Sequence, residues 1–246
     1  MSLAVPQGSF YFIETMKKIL LKISGEMFAS KHGVLDLAIV QSLVEQIKSL
    51  QNTHQFGLVI GAGNFFRGAK ADTSLKLSRT TADLVGMLGT VMNSVMLQDI
   101  FEQHTIKTAI LSAIHIPEIG RGINSHRINE ALANNALIIF AGGSGNPYMT
   151  TDTTSVIRAL QMGASELWKA TKVDYLFDKD PATYADAKPI YTCTHQEVLS
   201  QHLRAMDLTA STLAAENNLP IRLFNLFTPN ALIRVAKDVN FGSTIK

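Results

Sequence analysis

One cysteine and one tryptophan occur among 246 residues. A lone thiol, Cys193, excludes an internal disulfide framework, so the chain must hold itself together by a packed core, and a reducing, cytoplasmic compartment is the expected setting. Charge of one sign is also missing: 22 Lys and Arg stand against 20 Asp and Glu. Without a basic block or tail, the counterion-release term behind non-specific nucleic-acid binding is lacking, and nucleic acid is not an expected partner. Long apolar runs are scarce as well. The uncharged run Leu84 to Gln98 carries Asn93 and Ser94 and falls short of the roughly 20 residues a membrane span requires. The first 15 residues lack the basic start and apolar segment of an export signal. Since Met16 stands just before the first strong strand, residues 1–15 read as an appendage outside the fold, and 16–246 as one domain.

Three chemistries are missing too. There is no GK[ST], hence no P-loop, and no HRD or DFG pair of a protein kinase. The seven histidines never fall in HxH or HExxH spacing, so no dedicated zinc site is expected.

What is present is alternation. Apolar residues are 46% of the chain, ample for a substantial core. "KKILLKIS", "FGLVIG", "IKTAILS", "ALIIFAGG", "ELWKAT" and "IRLFN" read as strands. Between them lie helical patterns: Leu37, Val40, Val44, Ile47 and Leu50 recur at three and four, and a long helix from Arg79 to His104 places Leu84, Met87, Leu88, Val91, Val95 and Met96 on one side. Strands alternating with helices imply crossover connections. The expected class is therefore α/β, a three-layer αβα sandwich with a mainly parallel central sheet.

Ligands of such sheets lie beyond the carboxyl ends of the strands. Four loops there carry unusual chemistry: "KISGE" (22–26), "GAGNFFRG" (61–68), "GGSGNPYMTTD" (142–152) and "KATKVDYLFDKDP" (169–181). Any one of them alone would be read as turn geometry. Several glycine-bearing loops at one edge, each with a charged side chain, instead suit a multiply phosphorylated ligand, because glycine lets backbone N–H groups approach an anion. The second loop imitates a dinucleotide fingerprint, yet Phe66 occupies the third glycine position and Asp83 lies in the long helix, so the fingerprint is not met.

Taken in order from Lys17 to Ile245, "ILLKISGE", "VIGAGNFFRG", "ADLVGMLGTVMN", "FAGGSGNPYMTTDT", "KATKVDYLFDKDP", "AMDLTASTLA" and "LPIRLFN" resemble the bacterial UMP kinases of the amino acid kinase superfamily. The resemblance implies an amino acid kinase-like fold with acceptor-binding and ATP-binding lobes, and Mg²⁺-dependent transfer of the ATP γ-phosphoryl group to UMP in pyrimidine nucleotide biosynthesis. It implies that Lys22, Ile23, Ser24 and Gly25 form the donor-phosphate loop. Gly63 lies near the transferred group, Arg67 contacts phosphate, and Thr171, Phe177 and Asp180 hold the ATP nucleoside. On the acceptor side it implies Ala62, Asp83 at the ribose, and the clamp Ser144, Gly145, Asn146, Pro147, Tyr148, Met149, Thr150 and Thr151. Lys22, Arg67, Asp152 and Asp207 make up the implied catalytic set. The metal is expected to come with ATP.

The chain departs from the family pattern at Ala62, where a glycine is usual, at Tyr175, also in place of a glycine, at Ser165, where an acid is common, and along Pro117 to Arg127. The resemblance further implies a homohexamer, with the long helix at a subunit interface through residues such as Met87, Gly89, Met92, Asn93 and Met96, a GTP activator and a UTP inhibitor. Two alternatives stand beside it: another phosphotransferase of the superfamily, or a non-catalytic nucleotide-binding protein of the same fold.

Overall fold

The central strand β1 (Lys17–Ile23) buries every residue from Ile19 to Ile23, as a strand covered on both faces must. The computed structural model describes residues 16–30, 34–66 and 76–246. The expected appendage 1–15 and the proposed phosphate ligand Arg67 lie outside the described residues.

Around β1 runs a nine-stranded sheet. Its other members are β2 (His54–Ile60), β3 (Thr108–Ser112), β4 (Arg121–Gly122), β5 (Leu137–Ala141), β6 (Glu166–Thr171), β9 (Thr192–Cys193), β10 (Ile221–Asn225) and β11 (Ser243–Ile245), in the order β4-β3-β5-β2-β1-β6-β10-β11-β9. Every pairing from β4 to β10 is parallel; β11 then runs antiparallel to β10. A separate antiparallel pair joins β7 (Leu176–Phe177) to β8 (Pro189–Ile190). The sequence reading missed β4, β7, β8, β9 and β11, since two or three residues are too few to show a period.

Side-chain alternation along β1 divides the core. Ile19, Leu21 and Ile23 pack with α1 (Leu37–Leu50), α2 (Arg79–Gln103) and α7 (Ala231–Lys237). Leu20 faces the other layer, α3 (Ser125–Ala133), α4 (Thr151–Met162), α5 (His195–Ser200) and α6 (Leu208–Glu216). The result is the expected three-layer αβα sandwich. Helix α1 follows its pattern beyond its first residue: Asp36 caps it by accepting from the Ala38 and Ile39 amides, and Val40, Val44, Ile47 and Leu50 face inward, whereas Leu37, at the exposed start of the helix, does not.

Helix α2 does not. Leu84, Leu88, Met92 and Val95 are exposed, Met92 by 52%, whereas Gly89, Thr90, Asn93 and Ser94 are buried. The reason is what lies beneath. Asn93 Nδ2 donates to the Gly61 carbonyl (2.9 Å), and Thr90 Oγ1 accepts from the Gly142 amide (2.9 Å). Two loops with backbone groups to satisfy therefore take the polar face of the helix. By length and apolar composition α2 could cross a bilayer, but this buried polar face packs on the sheet and its loops.

Candidate active site

Strands β5, β2, β1 and β6 are consecutive neighbours and all parallel. Their carboxyl ends therefore deliver all four glycine-bearing or charged loops to one edge, the position open α/β sheets use for ligands.

Lys22 is the penultimate residue of β1, and its register partners are Val59 on β2 and Lys169 on β6. Parallel neighbours in register share a face, so two lysines stand side by side on the α4 side of the sheet. Asp152, in the first turn of α4, lies between them: Lys22 Nζ is 2.9 Å from Oδ1 and Lys169 Nζ is 2.7 Å from Oδ2. The Lys169 contact is a hydrogen bond; the Lys22 contact is an ion pair without hydrogen-bond alignment. Burial alone would raise the Asp152 carboxyl, but the two ammonium groups outweigh it and hold it below the ordinary value. Burial pushes Lys169 down, opposed by Asp152 and reinforced by Lys22. One carboxylate thus serves two cations in a desolvated cleft, which leaves a positive charge for an incoming anion.

The supports of Asp152 are explicit. Thr150 caps α4, accepting from the Asp152 and Thr153 amides, and the positive end of the helix dipole faces the same edge. Asp207 caps α6 through the Ala210 amide and also accepts from the hydroxyls of Thr150 and Thr153. With its carboxylate engaged by these three donors, Asp207 ties the start of α4 to the start of α6, and it lines neither of the cavities described next.

The first cavity, about 350 Å³, is walled by the loops after β1, β2 and β5 and by α2. Ser24, Gly25, Ala62, Gly63 and Asp83 line it, as do Ser144, Asn146, Met149, Thr150 and Thr151. Ile23, Gly145, Pro147 and Tyr148 do not. Gly142, Gly143 and Gly145 hold φ of +73°, +57° and +81°, a region where a Cβ is costly. Tyr148 adopts φ +66° despite its side chain. Asp83 compensates: its Oδ2 accepts the Tyr148 amide at 2.7 Å, while Arg79 Nε donates to both carboxylate oxygens at 2.9 and 2.8 Å. Behind the loop, Arg158 is 5% exposed and donates to the Gly143 carbonyl at 2.9 Å; burial lowers its pKa to about 10. Ala62 needs no widening of the loop, because its methyl lies against Gly89, where any added Cβ would come within 2.8 Å.

The second cavity, about 620 Å³, contains Lys169, Thr171, Phe177 and Asp180 in its wall, with Tyr175, Tyr184, His202 and Arg204. Lys22 and Asp152 line neither cavity; Lys22 lies in register between Val59, which lines the first, and Lys169, which lines the second.

A family model described as "Amino acid kinase family" matches residues 17–225. The chain belongs to the amino acid kinase family. A uridylate kinase of Francisella tularensis subsp. holarctica (strain OSU18) is 39% identical over 232 residues, covering 94% of this chain and 93% of that protein. Among solved structures, the UMP kinase of Ureaplasma parvum superposes with a TM-score of 0.89 at 30% identity, over 94% of this chain and 99% of the other. That of Bacillus anthracis gives 0.88 at 30% identity, over 94% and 96%.

For this amino acid kinase the sequence reading overlooked three side chains, Lys169, Arg158 and Thr90, and misplaced Asn93: expected with Gly89 at a subunit interface, both are buried, Asn93 against the Gly61 loop. Lys169 had a signal. A lysine inside "ELWKAT", a strand otherwise read as core, needs a buried partner, just as Lys22 does in "KKILLKIS". Arg158 sits likewise on the inward side of "SVIRALQM". Thr90 and Asn93 offered no local sign, because their partners are backbone groups far away in sequence.

Proposed function

We propose that this chain is a UMP kinase, transferring the γ-phosphoryl group of ATP to UMP to give UDP and ADP. The observation that carries the reading is the Lys22–Asp152–Lys169 cluster between two nucleotide-sized cavities at the carboxyl edge of the sheet. The cavity under α2 takes UMP: Asp83 holds the ribose hydroxyls, and the clamp Ser144 to Thr151 wraps phosphate and base. The cavity beside β6 takes ATP, with Thr171, Phe177 and Asp180 around the nucleoside, and its phosphates extend toward the first cavity, whose wall holds Ser24, Gly25 and Gly63. Residues 16–246 act as one catalytic unit with these two lobes.

No protein nucleophile is required. An oxygen of the UMP phosphate attacks the γ-phosphorus in line, and the protein contributes positioning and charge stabilisation. Lys22 and Lys169 neutralise charge on the transferring group, and Asp152 holds both ammonium groups in place rather than taking a proton. Its depressed pKa suits that task and makes it a poor base. Arg67 is assigned a phosphate contact by resemblance to the family. Among the described residues no group of three or more His, Cys, Asp or Glu side chains could hold a metal ion. Mg²⁺ would be held by the ATP phosphates, its usual mode in such sites, and would offset their charge.

The exposed stripe Leu84, Leu88, Met92 and Val95 on α2 is the surface for a second copy, within a hexamer built from dimers. GTP activation, UTP inhibition, a cytoplasmic location and a place in pyrimidine nucleotide synthesis follow the same family likeness. A coupled assay of ADP release with ATP, Mg²⁺ and each of UMP, CMP and dUMP tests the proposal. Release with UMP above the other two is expected; no UMP-dependent release overturns it.

A further inference from the structure

Tyr175 is a departure from the family pattern, and the structure gives it a neighbour that the sequence does not announce. Its ring meets that of Tyr191 edge-on, with centroids 4.9 Å apart at 75°. The pairing is not incidental. Leu176 is paired with Ile190 in the β7–β8 ladder, so Tyr175 and Tyr191 are the next residues in that register, where cross-strand aromatics meet. The ladder itself is pinned to the main sheet. Ser243 of β11, almost fully buried, accepts from the Leu176 amide at 2.8 Å and donates to the Ile190 carbonyl at 2.6 Å. Tyr175 thus follows a ladder tied to the main sheet, its ring meets Tyr191, and it lines the 620 Å³ cavity beside β6.

We infer that the Tyr175 ring, held by the edge-on contact with Tyr191, is the aromatic platform on which the base of the donor nucleotide stacks. The inference rests on the assignment of that cavity to ATP, and it adds the residue that grips the base. Tyr191 is 58% exposed. A tyrosine in the cavity wall whose ring is already fixed by an edge-on neighbour loses little freedom on binding, so a planar base gains nearly the full stacking energy. A purine, with the larger π-face, is favoured over a pyrimidine at this position. Phe177 and Leu223 extend the apolar wall, while Arg204 and Lys169 supply the cations that phosphates need.

Two measurements test this. In steady-state kinetics, Y175G raises the Michaelis constant for ATP by roughly five- to 50-fold, the size of one lost base–aromatic stack, and leaves that for UMP within about twofold. Y175F, which keeps the ring, restores most of the loss. A purely structural tyrosine pair would instead lower thermal stability in Y175G without separating the two substrates. In Y175W the introduced indole reports directly, because the native Trp168 is buried: ADP and ATP quench its fluorescence, and inorganic tripolyphosphate does not. Quenching by tripolyphosphate equal to that by ADP, or an unchanged Michaelis constant for ATP in Y175G, overturns the platform. Quenching by ADP in a protein that fails to phosphorylate UMP would support the platform and remove the kinase reading, so the two fail separately.

Discussion

Lys169 donates a 2.7 Å hydrogen bond to Asp152, and this contact joins the end of β6 to the first turn of α4. It fixes a cation beside Lys22 in the wall of the second cavity. Loss of one preorganised donor to a transition state costs about 100- to 1,000-fold in turnover. K169M and K22A are each expected to lower kcat by about that factor, and the double variant by much less than the product, since the two act as one unit. Steady-state rates with saturating ATP and UMP check this. Wild-type turnover in either single variant would remove that lysine from the chemistry.

Asp83 accepts from Arg79 and from the Tyr148 amide, so it organises the clamp besides facing the first cavity. D83N loses charge-assisted bonds worth roughly 1.5 to 3 kcal/mol and is expected to raise the Michaelis constant for UMP by about ten- to 150-fold, with that for ATP nearly unchanged. Equal effects on both substrates would assign the residue to general support of the fold.

Gly89 and Ala62 are expected to be energetically coupled. An exposed glycine-to-alanine change inside a helix gains about 1 kcal/mol from propensity, but a Cβ at position 89 would sit 2.8 Å from the Ala62 methyl. Overpacking of this kind costs about 1 to 3 kcal/mol, so G89A should be destabilised on balance and A62G should rescue it. Denaturant unfolding of the two single variants and the double variant measures the coupling; additive effects would contradict the packing.

The outer stripe of α2 predicts assembly. M92E and L88E place a charge on the exposed apolar face and are expected to give a smaller particle by light scattering at micromolar concentration, with the circular dichroism spectrum kept. A parent protein that is already monomeric there would refute the interface.

Acid should destabilise the fold through its buried imidazoles. Burial holds both His54 and His195 below the ordinary value of 6.5, with Lys17 adding to the effect at His54. Each binds a proton less readily folded than unfolded, so stability is full above 6.5 and falls as pH drops through that value toward the lower folded pKa. The urea midpoint should therefore fall between pH 7.5 and 5.5, and H54Q should flatten part of the change. A midpoint that rises on acidification contradicts the assignment.

The sequence conveyed the alternation of long elements well, because β1, β2, β5 and β6 are apolar runs and α1 keeps a clear period. It misdirected on α2. Leu84, Leu88 and Val95 look like core residues when hydrophobicity alone is counted, but the loops below that helix need the hydrogen-bonding groups of Thr90 and Asn93. Of the site, Lys22, Asp152 and the clamp were legible as motifs. Lys169 became visible only when strand register set it beside Lys22, and the link from Asp207 to Thr150 only when two helix starts met in space.

Lys22 and Lys169, held by Asp152, are proposed to stabilise the direct transfer of a phosphoryl group from ATP to UMP. Incubation of the purified protein with γ-phosphate-labelled ATP, Mg²⁺ and UMP, followed by separation of nucleotides, tests it most directly. The account predicts label in the β-position of UDP, formed rapidly by the parent and about 100-fold or more slowly by K169M. Label released only as inorganic phosphate, or UDP formed by K169M at the parent's rate, would contradict it.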